Sequence, residues 1–179
     1  MPNKMVGNLI MKLTKLLILA GMTMKVMAID VAEAFSFNCI HCYNIEPQVQ
    51  SLRQSAKVNY IPLPIYDPKD INQLAVINAY FAAQALGKEP QFRLAYFNAV
   101  FNQGMSAYAP ETLVSVLTAC NLNNKAFYSL ASSERITRKV QFAASLAVRY
   151  QINGTPTFIV NNNQVFEGEN AIQEIAALY

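Results

Sequence analysis

From residue 29 onward the spacing of apolar residues divides the chain into three stretches. Residues 29–37 are apolar almost without a break, as expected of a central strand covered on both faces. A helical pattern runs from Ile40 to about Ala56, and Pro47 inside it predicts a kink, because proline removes a helical N–H and crowds the preceding turn. Residues 58–66 read as a second strand. Pro62 and Pro64 cannot donate to a ladder, so this strand is expected to pair toward an edge or to end early.

Residues 70–150 carry helical periodicity only. Ile71, Leu74, Ile77, Tyr80, Phe81 and Leu86 keep helical spacing until Gly87. Pro90 opens a second helix through Phe92, Tyr96, Phe97 and Phe101, and Pro110 opens a third that ends near Cys120. Asn123 and Asn124 start a short fourth, and Ser132, Ser133 and Glu134 a long fifth. Aromatic residues at this spacing read as core. The pattern then returns to β: a strand at 157–160, three asparagines as turn chemistry, a hairpin partner at 164–166 and a closing helix at 169–178. The order is βαβ, helical block, ββα. It predicts an α/β protein, a thioredoxin fold formed by residues 29–69 and 151–179 with an inserted helical domain at 70–150.

Composition changes this picture at one end. The chain has 179 residues, enough for one domain with a helical elaboration, and its hydrophobic fraction of 53% supplies a core that needs no disulfide staples. The net charge of +3 is concentrated: Lys4, Lys12, Lys15 and Lys25 fall in the first 28 residues, which hold no acid. The remainder carries 10 basic and 11 acidic residues, so no basic stripe is left for a nucleic-acid partner. Lys12 and Lys15 before the apolar run 16–24, with Val26-Met27-Ala28 after it, read as a secretory signal peptide over residues 1–28. The run is short for a transmembrane helix; an uncleaved anchor or an irregular start is the alternative.

The candidate chemistry is Cys39-Ile40-His41-Cys42, at the junction of the first strand and the first helix. Two thiols at this spacing suit reversible disulfide exchange. Cys39 stands at the helix N-terminus, where unpaired N–H groups favour a thiolate, and His41 adds a donor and potential positive charge. Cys39 is the candidate nucleophile and Cys42 the less exposed resolving partner. A zinc site would need two further ligands from Cys120 and His41, haem attachment would place histidine where Tyr43 stands, and a purely structural pair is the third alternative. Cys120 ends an apolar helical pattern and reads as a small buried hydrophobe. Pro156, in Gly154-Thr155-Pro156-Thr157-Phe158, is expected beside the cysteines after a cis Thr155–Pro156 bond, with the Thr155 backbone offering a short edge to an extended substrate segment; a plain strand-initiating proline is the alternative. Glu33 interrupts the first strand and Glu46 lies one turn past Cys42. Buried there, they can take or relay the proton of the resolving thiol; otherwise Glu33 is a solvated strand end and Glu46 an exposed helix acid.

The segment Glu33-Ala34-Phe35-Ser36-Phe37-Asn38-Cys39-Ile40-His41-Cys42-Tyr43 resembles the active-site segment of the DsbA-like periplasmic thiol:disulfide oxidoreductases, and the helical insertion and proline strand follow in that family's order. The resemblance covers about residues 29–179. It implies oxidation of newly exported proteins in the periplasm, with Cys39 attacking and Cys42 as its partner. The redox-active disulfide would be the electron carrier, with no separate cofactor or metal. The implied partners are unfolded or partly folded exported proteins with cysteines and a membrane reoxidase of the DsbB type, and a monomer is expected. Ile40 stands where proline is usual and Thr155 where strong oxidases often carry valine; both are expected at the substrate-binding edge and to tune the potential. The family's buried lysine partner to Glu46 has no counterpart in residues 58–66. A reductase or isomerase on the same scaffold, or a thioredoxin-fold binding or chaperone protein, are the other functions this pattern allows.

Overall fold

The computed structural model describes residues 28–178. The expected leader, residues 1–28, lies outside the described residues save Ala28. Strand β1 (Ile29–Phe35) leads into helices α1 (Ile40–Asn44) and α2 (Glu46–Gln54), then β2 (Val58–Pro64). Five α-helices follow: α3 (Ile71–Ala85), α4 (Glu89–Phe97), which runs on into a π-helical turn at Asn98–Asn102, α5 (Pro110–Ala119), α6 (Lys125–Ala131) and α7 (Glu134–Arg149). The chain closes with β3 (Thr157–Val160), β4 (Gln164–Glu167) and α8 (Ala171–Ala176).

The four strands form one sheet in the order β2-β1-β3-β4. β1 is parallel to β2 and antiparallel to β3, and β3 is antiparallel to β4. Strand β2 is an edge, which is where its prolines are tolerated: Pro62 and Pro64 face Glu33 and Phe35 in register, and their missing donors fall on the unpaired side or at the strand end. The β3–β4 turn places Asn161 and Asn162 at φ 48° and 63°, the left-handed pair that a tight hairpin requires.

Side chains alternate across β1 and define two cores. Val31 faces Ile45, Val49 and Leu52 of the first helical run, with Phe158, Val160, Ala171 and Ile175. Ala32, Ala34 and Leu63 face the helical block, where Ile77, Tyr80, Phe92, Tyr96 and Phe97 are buried. The block is anchored by α3, which packs on α4, α6 and α7, while α7 packs on β2. Asp70 starts α3 by accepting hydrogen bonds from the N–H groups of Asn72 and Gln73, and Gly87, at φ 69°, follows its end.

Two boundaries differ from the sequence reading. The helix expected over residues 40–56 is two helices broken at Ile45, where φ and ψ are −93° and 0°. Pro47 is the second residue of α2, where a helix has no use for its N–H, so proline begins the second helix instead of kinking one long helix. The last helix starts at Ala171, and this leaves Glu169 in the preceding turn.

Candidate active site

Cys39 is the N-cap residue of α1, in extended conformation, and its Sγ accepts a hydrogen bond from the Cys42 N–H at 3.2 Å. The chain turns there because Ser36 and Asn38 close a loop: the Cys39 N–H donates to the Ser36 carbonyl, and the Ser36 hydroxyl is paired with that of Tyr108. Phe37 secures the turn from below, fully buried against Tyr80, Phe92, Tyr96 and Phe97. Cys39 is half-buried, Cys42 is fully buried and both are free thiols.

The Thr155–Pro156 bond is cis. It sits over the first cysteine, with Cys39 Sγ 3.2 Å from the Thr155 carbonyl oxygen. The Cys42 thiol, aimed at the Cys39 sulfur, lowers the Cys39 pKa to about 6 against an opposing burial effect. Thr155 and the N–H groups of Cys42 and His41 add to the lowering. The same hydrogen bond, and burial, push the Cys42 thiol up. The two sulfurs are thus differentiated, one a ready thiolate and the other a protonated thiol.

His41 is exposed, and its ring is engaged outward. Nδ1 lies 2.7 Å from Glu169 Oε1, which also accepts from Asn44 Nδ2 at 3.0 Å. That carboxylate raises the His41 pKa, with the Cys39 charge adding a smaller push, and is itself held below the usual range by the imidazole. Ile40 is 45% exposed beside the cysteines. Sequence reasoning placed the histidine and missed its carboxylate, because the two are 128 residues apart.

Beneath the dithiol lies a buried ionic cluster. Glu33 is fully buried and Glu46 is 3% exposed, so neither is the solvated acid that the sequence left open. Both are bound by Arg93 of α4, also fully buried. Its Nη1 and Nη2 donate to Glu33 at 2.8 and 2.7 Å, Nε donates to Glu46 Oε2 at 2.6 Å, and Nη1 donates also to the Tyr60 hydroxyl at 2.9 Å. Tyr60 in turn donates to Glu33. The guanidinium stacks on Phe35 with its carbon 4.0 Å from the ring centroid. Burial raises the pKa of Glu46, whose Oε1 has no hydrogen-bond partner. A second pair, Arg53 with Glu89, adjoins the cluster.

Arg93 is the residue that sequence reasoning missed. A cation partner to Glu46 was sought in β2, whereas the structure supplies it from the helical block. One signal was available: Glu89 and Arg93 are charges lying inside the apolar stripe of Phe92, Tyr96 and Phe97. Cys120 is buried at the end of α5, far in sequence from the pair, with its pKa raised by burial.

A four-stranded sheet that carries a C-x-x-C pair at a helix start beneath a cis-proline loop, interrupted by a helical block, defines a thioredoxin-fold dithiol protein. The chain belongs to the DSBA-like thioredoxin domain family, whose model matches residues 30–179. It is 27% identical over 143 residues to the thiol:disulfide interchange protein DsbA of Azotobacter vinelandii, covering 78% of this chain and 65% of that protein. It is 28% identical over 141 residues to DsbA of Pseudomonas aeruginosa, covering 78% and 66%. The matched region is thus just under two thirds of the length of these relatives. The crystal structure of Pseudomonas aeruginosa DsbA superposes with a TM-score of 0.69 at 25% identity, covering 84% of this chain and 81% of that one. DsbA from Xylella fastidiosa superposes at 0.71 with 23% identity, a likeness of fold, over 84% of both chains.

Proposed function

We propose that this protein is a thiol:disulfide interchange enzyme that oxidises cysteine pairs of exported proteins through a Cys39–Cys42 disulfide. The supporting observation is the asymmetry of the pair: an accessible sulfur with its pKa lowered to about 6 beside a buried one pushed the other way. A substrate thiolate attacks Cys39 Sγ of the oxidised enzyme, the Cys39–Cys42 bond breaks, and Cys42 leaves with the electron pair and takes a proton. The substrate's second thiolate then attacks the substrate sulfur of the mixed disulfide. Cys39 departs as a thiolate, and two electrons have passed from the substrate dithiol to the enzyme. Stabilising that leaving thiolate favours the reduced enzyme and makes its disulfide oxidising.

In this reading Glu33 and Glu46 serve the proton of Cys42. Glu46, with a raised pKa and an unpartnered oxygen, is the group able to hold and release it. In this reading an extended substrate segment pairs with the Thr155 backbone at the cis proline, beside exposed Ile40, and Pro156 offers no N–H that competes for the sulfur. The pair is its own electron carrier, without a further cofactor. The partners are unfolded exported proteins with cysteines and, after each turnover, a membrane reoxidase of the DsbB type. The enzyme acts in the periplasm as a monomer, exported by its N-terminal segment.

Equilibration of the purified protein in glutathione buffers tests this. A potential well above the glutathione couple, with exchange lost in Cys39→Ser, is expected; a potential near thioredoxin's about −270 mV would move the protein to reductase chemistry on the same fold.

A further inference from the structure

The cation beneath the dithiol belongs to the helical insertion, not to the sheet or to the helix that carries the cysteines. Arg93 leaves α4, crosses between the two cores and ends among Glu33 of β1, Glu46 of α2 and Tyr60 of β2. It bonds to side chains of all three elements, and every one of its guanidinium nitrogens is engaged. We propose that the helical insertion sets the redox equilibrium of the Cys39–Cys42 pair, with Arg93 as a positioning residue that fixes two carboxylates and the net charge beneath Cys42. The proposal rests on the exchange chemistry above.

The sign follows from the charges that face Arg93. Glu33 and Glu46 are two acids around one guanidinium, and the adjoining Arg53–Glu89 pair adds one of each. Fully ionised, the set carries one excess negative charge, or none when Glu46 holds a proton. Oxidation of a substrate leaves a thiolate on Cys39, above this set. Removing the guanidinium charge makes the floor more negative, disfavours that thiolate and makes the disulfide less oxidising. Removing the Glu46 charge does the opposite. Water does not screen these effects as it does at the surface, because Glu33 and Arg93 are fully buried and Glu46 nearly so. The charge of Glu33 already reaches the Cys42 thiol, where it is one of the influences raising its pKa.

A residue that only held the fold together would weaken both redox forms alike and leave their ratio unchanged. The experiment is therefore the glutathione equilibrium constant of the full chain for wild type, Arg93→Lys, Arg93→Gln and Glu46→Gln, read by alkylation of the free thiols. Glu46→Gln is expected to make the disulfide more oxidising by about threefold or more, and Arg93→Gln less oxidising by a similar factor, with Arg93→Lys between wild type and Arg93→Gln. Should Arg93→Gln fail to fold, the sign for Glu46→Gln decides. For Glu46→Gln a constant that is unchanged or moves toward the less oxidising side overturns the proposal, and for Arg93→Gln one that is unchanged or moves toward the more oxidising side does so. If the wild type does not exchange with glutathione at all, the interchange function falls and this proposal with it. If the wild type exchanges and the folded variants match it, only the role of the insertion is lost.

Discussion

His41–Glu169 on the rim of the site and Arg93–Glu33 on its floor are both cation–carboxylate pairs with an N···O distance of 2.7 Å. Their surroundings differ completely. The rim side chains are 64% and 41% exposed, whereas those of the floor pair are fully buried. On the rim, water competes for each charge and salt screens the attraction, so the pair biases a titration and little else. On the floor both ions have left water, and only mutual pairing with further hydrogen bonds makes that tolerable. Arg93 meets this demand with a bidentate contact to Glu33, a third carboxylate contact to Glu46 and the Tyr60 hydroxyl. Equal geometry thus carries unequal consequences. The rim pair exchanges freely with water, and the floor holds a fixed field beneath the dithiol.

The contrast is tested most strongly by breaking the floor. Arg93→Met leaves two buried carboxyls without their cation and is expected to cost about 3–5 kcal/mol of unfolding free energy in urea denaturation. A loss no larger than that of an exposed ion pair would show the floor to be hydrated. The next test compares thiols. Cys39 is accessible and its pKa is lowered to about 6, so at neutral pH iodoacetamide is expected to modify it at least about tenfold faster than Cys42 or Cys120, whose thiols are buried and pushed up. Peptide mapping of the alkylated protein gives the order directly.

A third test uses pH. The Cys39 pKa falls from 9.0 in the ordinary thiol to about 6 in the folded dithiol form. Between those values the unfolded chain holds the extra proton, so the reduced form gains stability as pH rises from about 6 to 9, and that gain is lost as pH falls through 6. The disulfide form has no such group, and Cys42, shifted upward, contributes nothing below its ordinary range. The stability of the reduced form relative to the oxidised form should therefore climb across this window; a flat difference would mean that the Cys39 thiolate is not stabilised. The smallest effect is expected on the rim. Glu169→Gln should lower the midpoint of the His41 imidazole signals in NMR titration while the unfolding temperature stays near that of wild type. An unmoved His41 midpoint would show that the pair does not form in solution.

How far the site was legible in the sequence follows the same division. Cys39, Cys42 and Pro156 announce themselves because a C-x-x-C pair at a strand–helix junction and a proline before an apolar strand are local patterns. Glu33 and Glu46 drew attention as charges out of place, though their burial was not readable from one strand or one helix alone. Glu169 looked like the first residue of a closing helix and proved to be a turn residue, because the helix waits for Ala171, which is fully buried. Arg93 was passed over because helical periodicity describes which face turns inward, not which distant element a long side chain meets there.

The sequence by itself determined the order of strands and helices, the helical insertion and the placing of a C-x-x-C pair at a strand–helix junction, and it left the proline-bearing strand either at an edge or ending early. These are consequences of apolar period, backbone stereochemistry and residue type, which act over a few neighbours. Only the tertiary structure decided the electrostatics: which carboxyl faces His41, which cation neutralises Glu33 and Glu46, and how deep each lies. Coulomb energies depend on distance and on exclusion of water, and both are set when segments up to 128 residues apart are packed together.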